Sequence, residues 1–194
     1  MVYDPQSKKF WSPQQEQVDA AIIHAAAFDK LNQAVWIGTY NTGLYQYSLA
    51  NKKFIRIQTR ENTTQTLHSL LINDIAIDNK GNAWSGTVEG GLSKLNMRQG
   101  KIAESRNFDI GYGLPDNNVH SVVSSDKGTV YFTTSKGISW IDADENIATL
   151  MNGQLGFPSS KFQESIVIAP DNYVATTIDD ELFCFNPESY RKPD

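Results

Sequence analysis

The chain has one cysteine, Cys184, in 194 residues. No disulfide can form within it, which excludes a disulfide-stapled secreted scaffold. Long apolar runs are missing too. A stretch such as Ala25-Ala26-Ala27-Phe28 is far shorter than the ~20 residues of a membrane-spanning helix. The basic residues do not cluster, and the net charge is -5 with a pI near 5.2, so nucleic acid is not an expected partner. There is no Gly-rich phosphate loop, no Gly-x-Ser-x-Gly and no paired-histidine metal spacing. Neither a catalytic residue nor a metal or other cofactor is therefore expected. No segment carries the 3.6-residue pattern of an ordinary helix. Cys184 lies within Leu182-Phe183-Cys184-Phe185 and reads as a buried small hydrophobe rather than a nucleophile. The start, Met1-Val2-Tyr3-Asp4-Pro5, is no signal peptide and reads as a cut inside a larger protein.

What the chain does have is a unit that recurs four times. A bulky residue is followed three positions later by threonine, then a short polar turn, then an aliphatic residue. The copies are Trp36-Ile37-Gly38-Thr39 to Leu44, Trp84-Ser85-Gly86-Thr87 to Leu92, Tyr131-Phe132-Thr133-Thr134 to Ile138, and Val174-Ala175-Thr176-Thr177 to Leu182. The threonines fall 48, 47 and 43 residues apart, a period that signals stacked supersecondary units.

The second copy is the cleanest. Leu71 to Asp78 reads as a strand, and Asn79-Lys80-Gly81-Asn82 as a hairpin turn. Ala83 to Thr87 reads as a second strand, Val88-Glu89-Gly90-Gly91 as a turn, and Leu92 to Asn96 as a third strand. A fourth begins near Lys101-Ile102 and runs towards Phe108. Four short antiparallel strands of this kind form one blade of a β-propeller. The fold expected is all-β, with about four blades. The chain is a single segment over 1–194, with a blade remnant at 1–14 and blades near 18–59, 67–109, 117–150 and 160–190.

The copies are out of phase with the chain. Tyr3-Asp4-Pro5 occupies the repeat position of Phe185-Asn186-Pro187, so Lys8 to Trp11 reads as an outer strand that precedes the first full blade. In a closed four-blade ring this strand would pair with the last three. In an arc of a larger propeller both edges stay open, and open edges favour pairing with the rest of the propeller or with a second copy. Two such arcs would make an eight-blade ring. The edges favour the arc.

These residues resemble the two-component regulator propeller repeat, the periplasmic sensor region of Bacteroides-type hybrid histidine kinases. That pattern places Asp-x-x-Gly before Trp-Ile-Gly-Thr, then Gly-Gly-Leu and an aromatic-Asp/Asn ending. Asp78 to Gly81, Trp84 to Thr87, Gly90 to Leu92 and Leu95-Asn96 match, with Ser85 where isoleucine is usual. Trp36 to Thr39 and Gly43-Leu44 match as well. Gly111 to Asn117 resembles the Gly-Leu-Pro-Ser-Asn link between blades, and Gly153 to Pro158 is a looser copy. Phe185-Asn186-Pro187-Glu188 resembles the last blade before a three-tyrosine domain. Blades three and four depart most, with Tyr131 and Val174 in place of tryptophan and Asp180-Glu181 in place of Gly-Gly. The resemblance implies a non-catalytic, periplasmic ligand sensor in a receptor anchored to the inner membrane, responding to a carbohydrate.

His24, Asn73, His120 and Gln163 fall at equivalent positions, at the start of each first strand. First strands line the central channel of a propeller, so these four are expected to ring one mouth of it and to hydrogen-bond an oligosaccharide. The commoner alternative is that strand starts near solvent are simply polar. Turns expected on the same face add Tyr40-Asn41, Glu89, Lys136 and Asp179-Asp180, and the links between blades add Tyr112 and Phe157. A metal held by His24 and His120 is disfavoured, because they lie two blades apart and a site needs further ligands. Trp36, Trp84 and Tyr131 are read as packing between blades, and Thr39, Thr87, Thr134 and Thr177 as satisfying turn hydrogen bonds. A propeller lyase and a protein-docking scaffold stay open as alternatives, because propellers host all three.

Overall fold

The computed structural model describes residues 2–4, 7–11, 21–57, 67–98, 101–151, 162–178 and 181–190. Seventeen strands account for nearly all the regular structure of these residues, joined by turns and short 3-10 segments. A hairpin of β1 (Val2–Asp4) and β2 (Lys9–Trp11) stands as its own two-stranded sheet. Blade 1 contains β3 (Ile23–Asp29), β4 (Ala34–Thr39), β5 (Leu44–Ser48) and β6 (Lys53–Ile57). Blade 2 contains β7 (Ile72–Ile77), β8 (Ala83–Thr87), β9 (Leu92–Arg98) and β10 (Lys101–Phe108). Blade 3 contains β11 (Val119–Ser124), β12 (Val130–Thr134), β13 (Gly137–Ile141) and β14 (Ile147–Met151). Blade 4 has three strands among the described residues, β15 (Phe162–Ile168), β16 (Val174–Ile178) and β17 (Glu181–Phe185). All pairings are antiparallel and sequential, so the fold is a four-blade β-propeller array.

The first strands lie side by side, β3 against β7, β7 against β11 and β11 against β15. No comparable contact joins β15 back to β3 among the described residues. Among the described residues the array is open between blades 4 and 1, and β2 pairs with β1.

Each blade has two faces, here called leading (towards the next blade) and trailing. Burial between them builds three cores. Trp36 and Leu44 of blade 1 pack with Ile72, Ile75, Ala83 and Leu95 of blade 2. Trp84, Leu92 and Phe108 of blade 2 pack with Val119, Val122, Val130 and Phe132 of blade 3. Tyr131 and Ile138 of blade 3 pack with Ile166, Val174 and Phe185 of blade 4. The repeated aromatics are thus seam residues. The glycine two positions on serves the same seam. A Cβ on Gly38 would lie 2.5 Å from Ile72 Cγ2, and one on Gly86 would lie 2.7 Å from Val119 Cγ1. The next blade's first strand sits directly on these glycines.

The two tryptophans differ in one respect. Trp84 Nε1 donates to Asp78 Oδ2 at 2.9 Å. Trp36 Nε1 is buried with no hydrogen-bond partner among the described residues. The turn before Trp36 is one residue longer, and Asp29 spends its carboxylate on the backbone and side chain of Asn32, at 2.9 and 2.7 Å. Stability measurements should separate the two. Trp84→Phe is expected to cost about 1 kcal/mol more than Trp36→Phe in chemical denaturation, because only the former removes a hydrogen bond to a buried carboxylate.

Two expectations need correction. The last copy is displaced by one residue. The Ala169 N–H closes its turn on the Tyr173 carbonyl, as Asp78 does on Asn82 and Ser125 on Thr129. Val174 therefore opens β16 as Ala83 opens β8, and Ile178 pairs with Phe162 as Thr87 pairs with Ile72. Ala175 holds the aromatic position and Ile178 the threonine position. Cys184 is also not buried but exposed. It pairs with Ala175 on the leading face of blade 4, where no further blade covers it among the described residues. The threonine reading holds for three copies. The hydroxyls of Thr39, Thr87 and Thr134 donate to the carbonyls of Gly43, Gly91 and Gly137 at 2.7, 2.9 and 3.3 Å.

Candidate functional site

The start of each first strand and the turn between second and third strands meet on one face. The Tyr40 N–H donates to the Ile22 carbonyl at 2.9 Å, and the Val88 N–H to the Leu71 carbonyl at 3.0 Å. Adjacent blades join there as well. The Gly43 N–H donates to Leu70 at 3.0 Å, and the Gly91 N–H to Asn117 at 2.8 Å.

A recurring irregularity shapes this mouth. The pairing of first and second strands slips between Ile23 and Ala25, between Ile72 and Asp74, between Val119 and Ser121, and between Phe162 and Ile166. His24, Asn73 and His120 are the residues that slip, and Gln163 lies in the fourth such stretch. Bulges leave a residue unpaired and re-aim its side chain. Here two of the side chains reach the next blade. His24 Nδ1 donates to the Asn73 carbonyl at 2.9 Å, which puts a proton on Nδ1. Asn73 Nδ2 donates to the Val119 carbonyl at 2.9 Å.

A second set of staples runs beside the first. Asp74 Oδ2 accepts from the Ser121 hydroxyl at 2.7 Å and from the Val122 N–H at 2.8 Å. The Ser121 Oγ in turn accepts from the Ile166 N–H at 3.3 Å. Neighbouring first strands are not hydrogen-bonded into one sheet, so side chains make the connection.

The predicted rim residues therefore fall into separate groups. At blade 1 the exposed His24 and Tyr40 rings stand 5.8 Å apart at an interplanar angle of 48°, and Asn41 Oδ1 accepts from the Ile22 N–H at 3.0 Å. Between blades 2 and 3, Glu89 takes a left-handed backbone, φ 60°, and its N–H donates to Asn118 Oδ1 at 2.9 Å. At blade 3, His120 and Lys136 converge on Asp116. Its carboxylate accepts from the Ser135 hydroxyl and from the Asn118 N–H. Burial pushes the Asp116 carboxyl up, but those two hydrogen bonds and the nearby Lys136 and His120 charges outweigh it and hold the group below its ordinary value. The Gln163 side chain, Phe157 and Asp179 lie outside the described residues.

Asp116 and Asn118 were not singled out as site residues from sequence. The signal was Pro115-Asp116-Asn117-Asn118 directly before a strand, an Asx turn in the making. Tyr112 is exposed on the link to blade 3, with the Arg106 guanidinium 5.9 Å from its ring centroid. The mouth thus offers exposed aromatic faces beside imidazole, carboxamide and charged groups. Among the described residues no group of three His, Cys, Asp or Glu is placed to hold a metal ion.

The strand order and these seams define a β-propeller. The chain is similar in structure to the extracellular domain of the hybrid two-component system BT3049 from B. thetaiotaomicron, with a TM-score of 0.75 and 23% identity over 96% of this chain and 24% of that one. It is likewise similar to the extracellular domain of BT4673 from B. thetaiotaomicron, with a TM-score of 0.68 and 22% identity over 86% of this chain and 23% of that one. Virginiamycin B lyase from Staphylococcus aureus is also similar, with a TM-score of 0.61 and 15% identity over 87% of this chain and 57% of the lyase. The chain spans about a quarter of the two B. thetaiotaomicron domains. No family model and no curated protein matches it by sequence.

Proposed function

We propose that this chain is a non-catalytic, ligand-sensing part of the extracytoplasmic propeller of a two-component sensor, on the periplasmic side of the inner membrane, and that its ligand is a carbohydrate. One observation carries the reading. The mouth face presents exposed aromatic rings, Tyr40 and Tyr112, beside polar groups held in place by backbone hydrogen bonds. Apolar ring faces with hydrogen-bonding neighbours suit a sugar, whose rings have apolar faces and hydroxyl edges. The likeness to sensor ectodomains supports the same reading.

Calorimetric titration with a panel of oligosaccharides tests this. At least one is expected to bind, and Tyr40→Ala should weaken it by about tenfold, the equivalent of ~1.4 kcal/mol. Silence across a broad panel would favour the docking-scaffold reading instead.

A further inference from the structure

We infer that the blade 1 corner of the mouth is a subsite for a neutral sugar ring, which lies on Tyr40 and donates one of its hydroxyls to His24 Nε2. The inference rests on the carbohydrate reading above and adds where the ligand sits, what it donates and which atom receives it.

The His24 ring is already committed at one end. Its Nδ1 stands 2.9 Å from the Asn73 carbonyl. A carbonyl oxygen only accepts, so the ring proton sits on Nδ1, and Nε2 of the neutral ring keeps its lone pair. The bulge between Ile23 and Ala25 sets this side chain off from its neighbours in the strand. Its partners among the described residues are the Asn73 carbonyl and the Tyr40 ring, 5.8 Å away. Neither uses Nε2, and the residue is exposed. The backbone of blade 2 thus fixes the direction of an acceptor before any ligand arrives, and such support gives a recognition group its precision.

An apolar surface adjoins this acceptor. Tyr40 is 45% exposed and Ile22 is 60% exposed, and the Tyr40 N–H donates to the Ile22 carbonyl at 2.9 Å. A sugar needs both features, a face to lie on and a fixed partner for a hydroxyl. A hydroxyl can donate to Nε2, whereas an ionised carboxylate cannot. Among the described residues no charged group bonds to His24 or Tyr40. The blade 3 corner differs in chemistry. His120 holds the same repeat position there, but it stands near the Asp116 carboxylate and Lys136. The neutral ring therefore belongs at blade 1.

The test is heteronuclear NMR of the histidine side chains, with calorimetry, on the whole 194-residue chain. The probes are cello-, xylo-, manno-, galacto- and arabino-oligosaccharides, with oligogalacturonate as the charged comparison. Before any sugar is added, His24 should carry its proton on Nδ1 and none on Nε2. A neutral oligosaccharide should then move the Nε2 signal and the Tyr40 ring signals together. Methylating its hydroxyls one at a time should find one whose loss as a donor weakens binding about tenfold, the equivalent of ~1.4 kcal/mol. His24→Phe keeps a ring beside Tyr40 and removes the acceptor. In that variant the free and methylated sugars should bind within about twofold of each other. The comparison separates recognition from the staple to Asn73, whose loss both sugars feel equally. A proton on Nε2 in the sugar-free chain would overturn the inference. So would a sugar that binds without moving His24, or oligogalacturonate that binds where neutral sugars do not. Either of those results leaves the carbohydrate reading standing, and silence from every sugar would overturn both. The NMR measurements use the unsubstituted chain, so they decide the matter even where His24→Phe does not fold.

Discussion

Gly91→Ala is expected to lower stability by about 3–4 kcal/mol, adding a positive-φ penalty to an overpacking penalty. On a chain of this size that is a drop of roughly 10 °C in the thermal midpoint. Gly91 sits at φ 75°, and a Cβ there would lie 2.1 Å from the Phe108 carbonyl oxygen. That carbonyl cannot retreat cheaply. Phe108 pairs with Leu92, and its buried ring stacks on Trp84 with centroids 5.7 Å apart. Gly91 also donates to Asn117 and accepts from both the N–H and the hydroxyl of Thr87, so any shift spreads into the turn and the seam. Gly113→Ala is the control. Gly113 has φ 99° and nothing within 4 Å of its would-be Cβ, so only the backbone term of about 1–2 kcal/mol applies. Equal losses at the two positions, in thermal or urea unfolding, would show that the Phe108 contact does not matter.

Asp78→Ala should cost a similar amount, about 3 kcal/mol, because it leaves several donors of a buried turn unsatisfied at once. The Asp78 carboxylate accepts from the Lys80 and Asn82 N–H groups, both at 2.9 Å, from Asn82 Nδ2 at 2.8 Å and from Trp84 Nε1 at 2.9 Å. One side chain thus closes the turn and orients the tryptophan that builds the next seam. Trp84 in turn has the Lys94 ammonium 5.2 Å from its ring, and Lys94 and Arg106 both pair with Glu145 of blade 3. Asp78→Ala should therefore weaken the contact between blades 2 and 3 as well as the hairpin. A loss no larger than that of an exposed turn aspartate, such as Asp126→Ala, would refute this role.

Much of the blade architecture was legible because its causes are local. Alternation over Ala83–Thr87, glycine at Gly81 and Gly91, and the Asp78 turn all act within a few residues, and the strands appear where those signals place them. What failed depended on distance or on counting. In the fourth copy the threonine pair was used to align the repeat. The turn closure from Ala169 to Tyr173 sets the register instead, and it lies one residue away. Cys184 looked buried because its neighbours are apolar, yet burial on that face requires another blade. The polar strand starts were found by repeat position. Their use as staples was not visible, since His24 and Asn73 bond to carbonyls 49 and 46 residues away. Asp116 shows the converse, a turn residue that becomes part of a charged group only once Lys136 and His120 are brought to it.

The staples between first strands all point the same way along the array. His24 reaches blade 2, Asn73 and Asp74 reach blade 3, and Ser121 receives the Ile166 amide of blade 4. A blade in isolation would leave these groups to water, so each gains part of its stability from one adjoining neighbour. Such a chain behaves as a one-dimensional lattice with nearest-neighbour coupling. Order spreads blade by blade, and the terminal units, each coupled on one side within the array, are the first to melt.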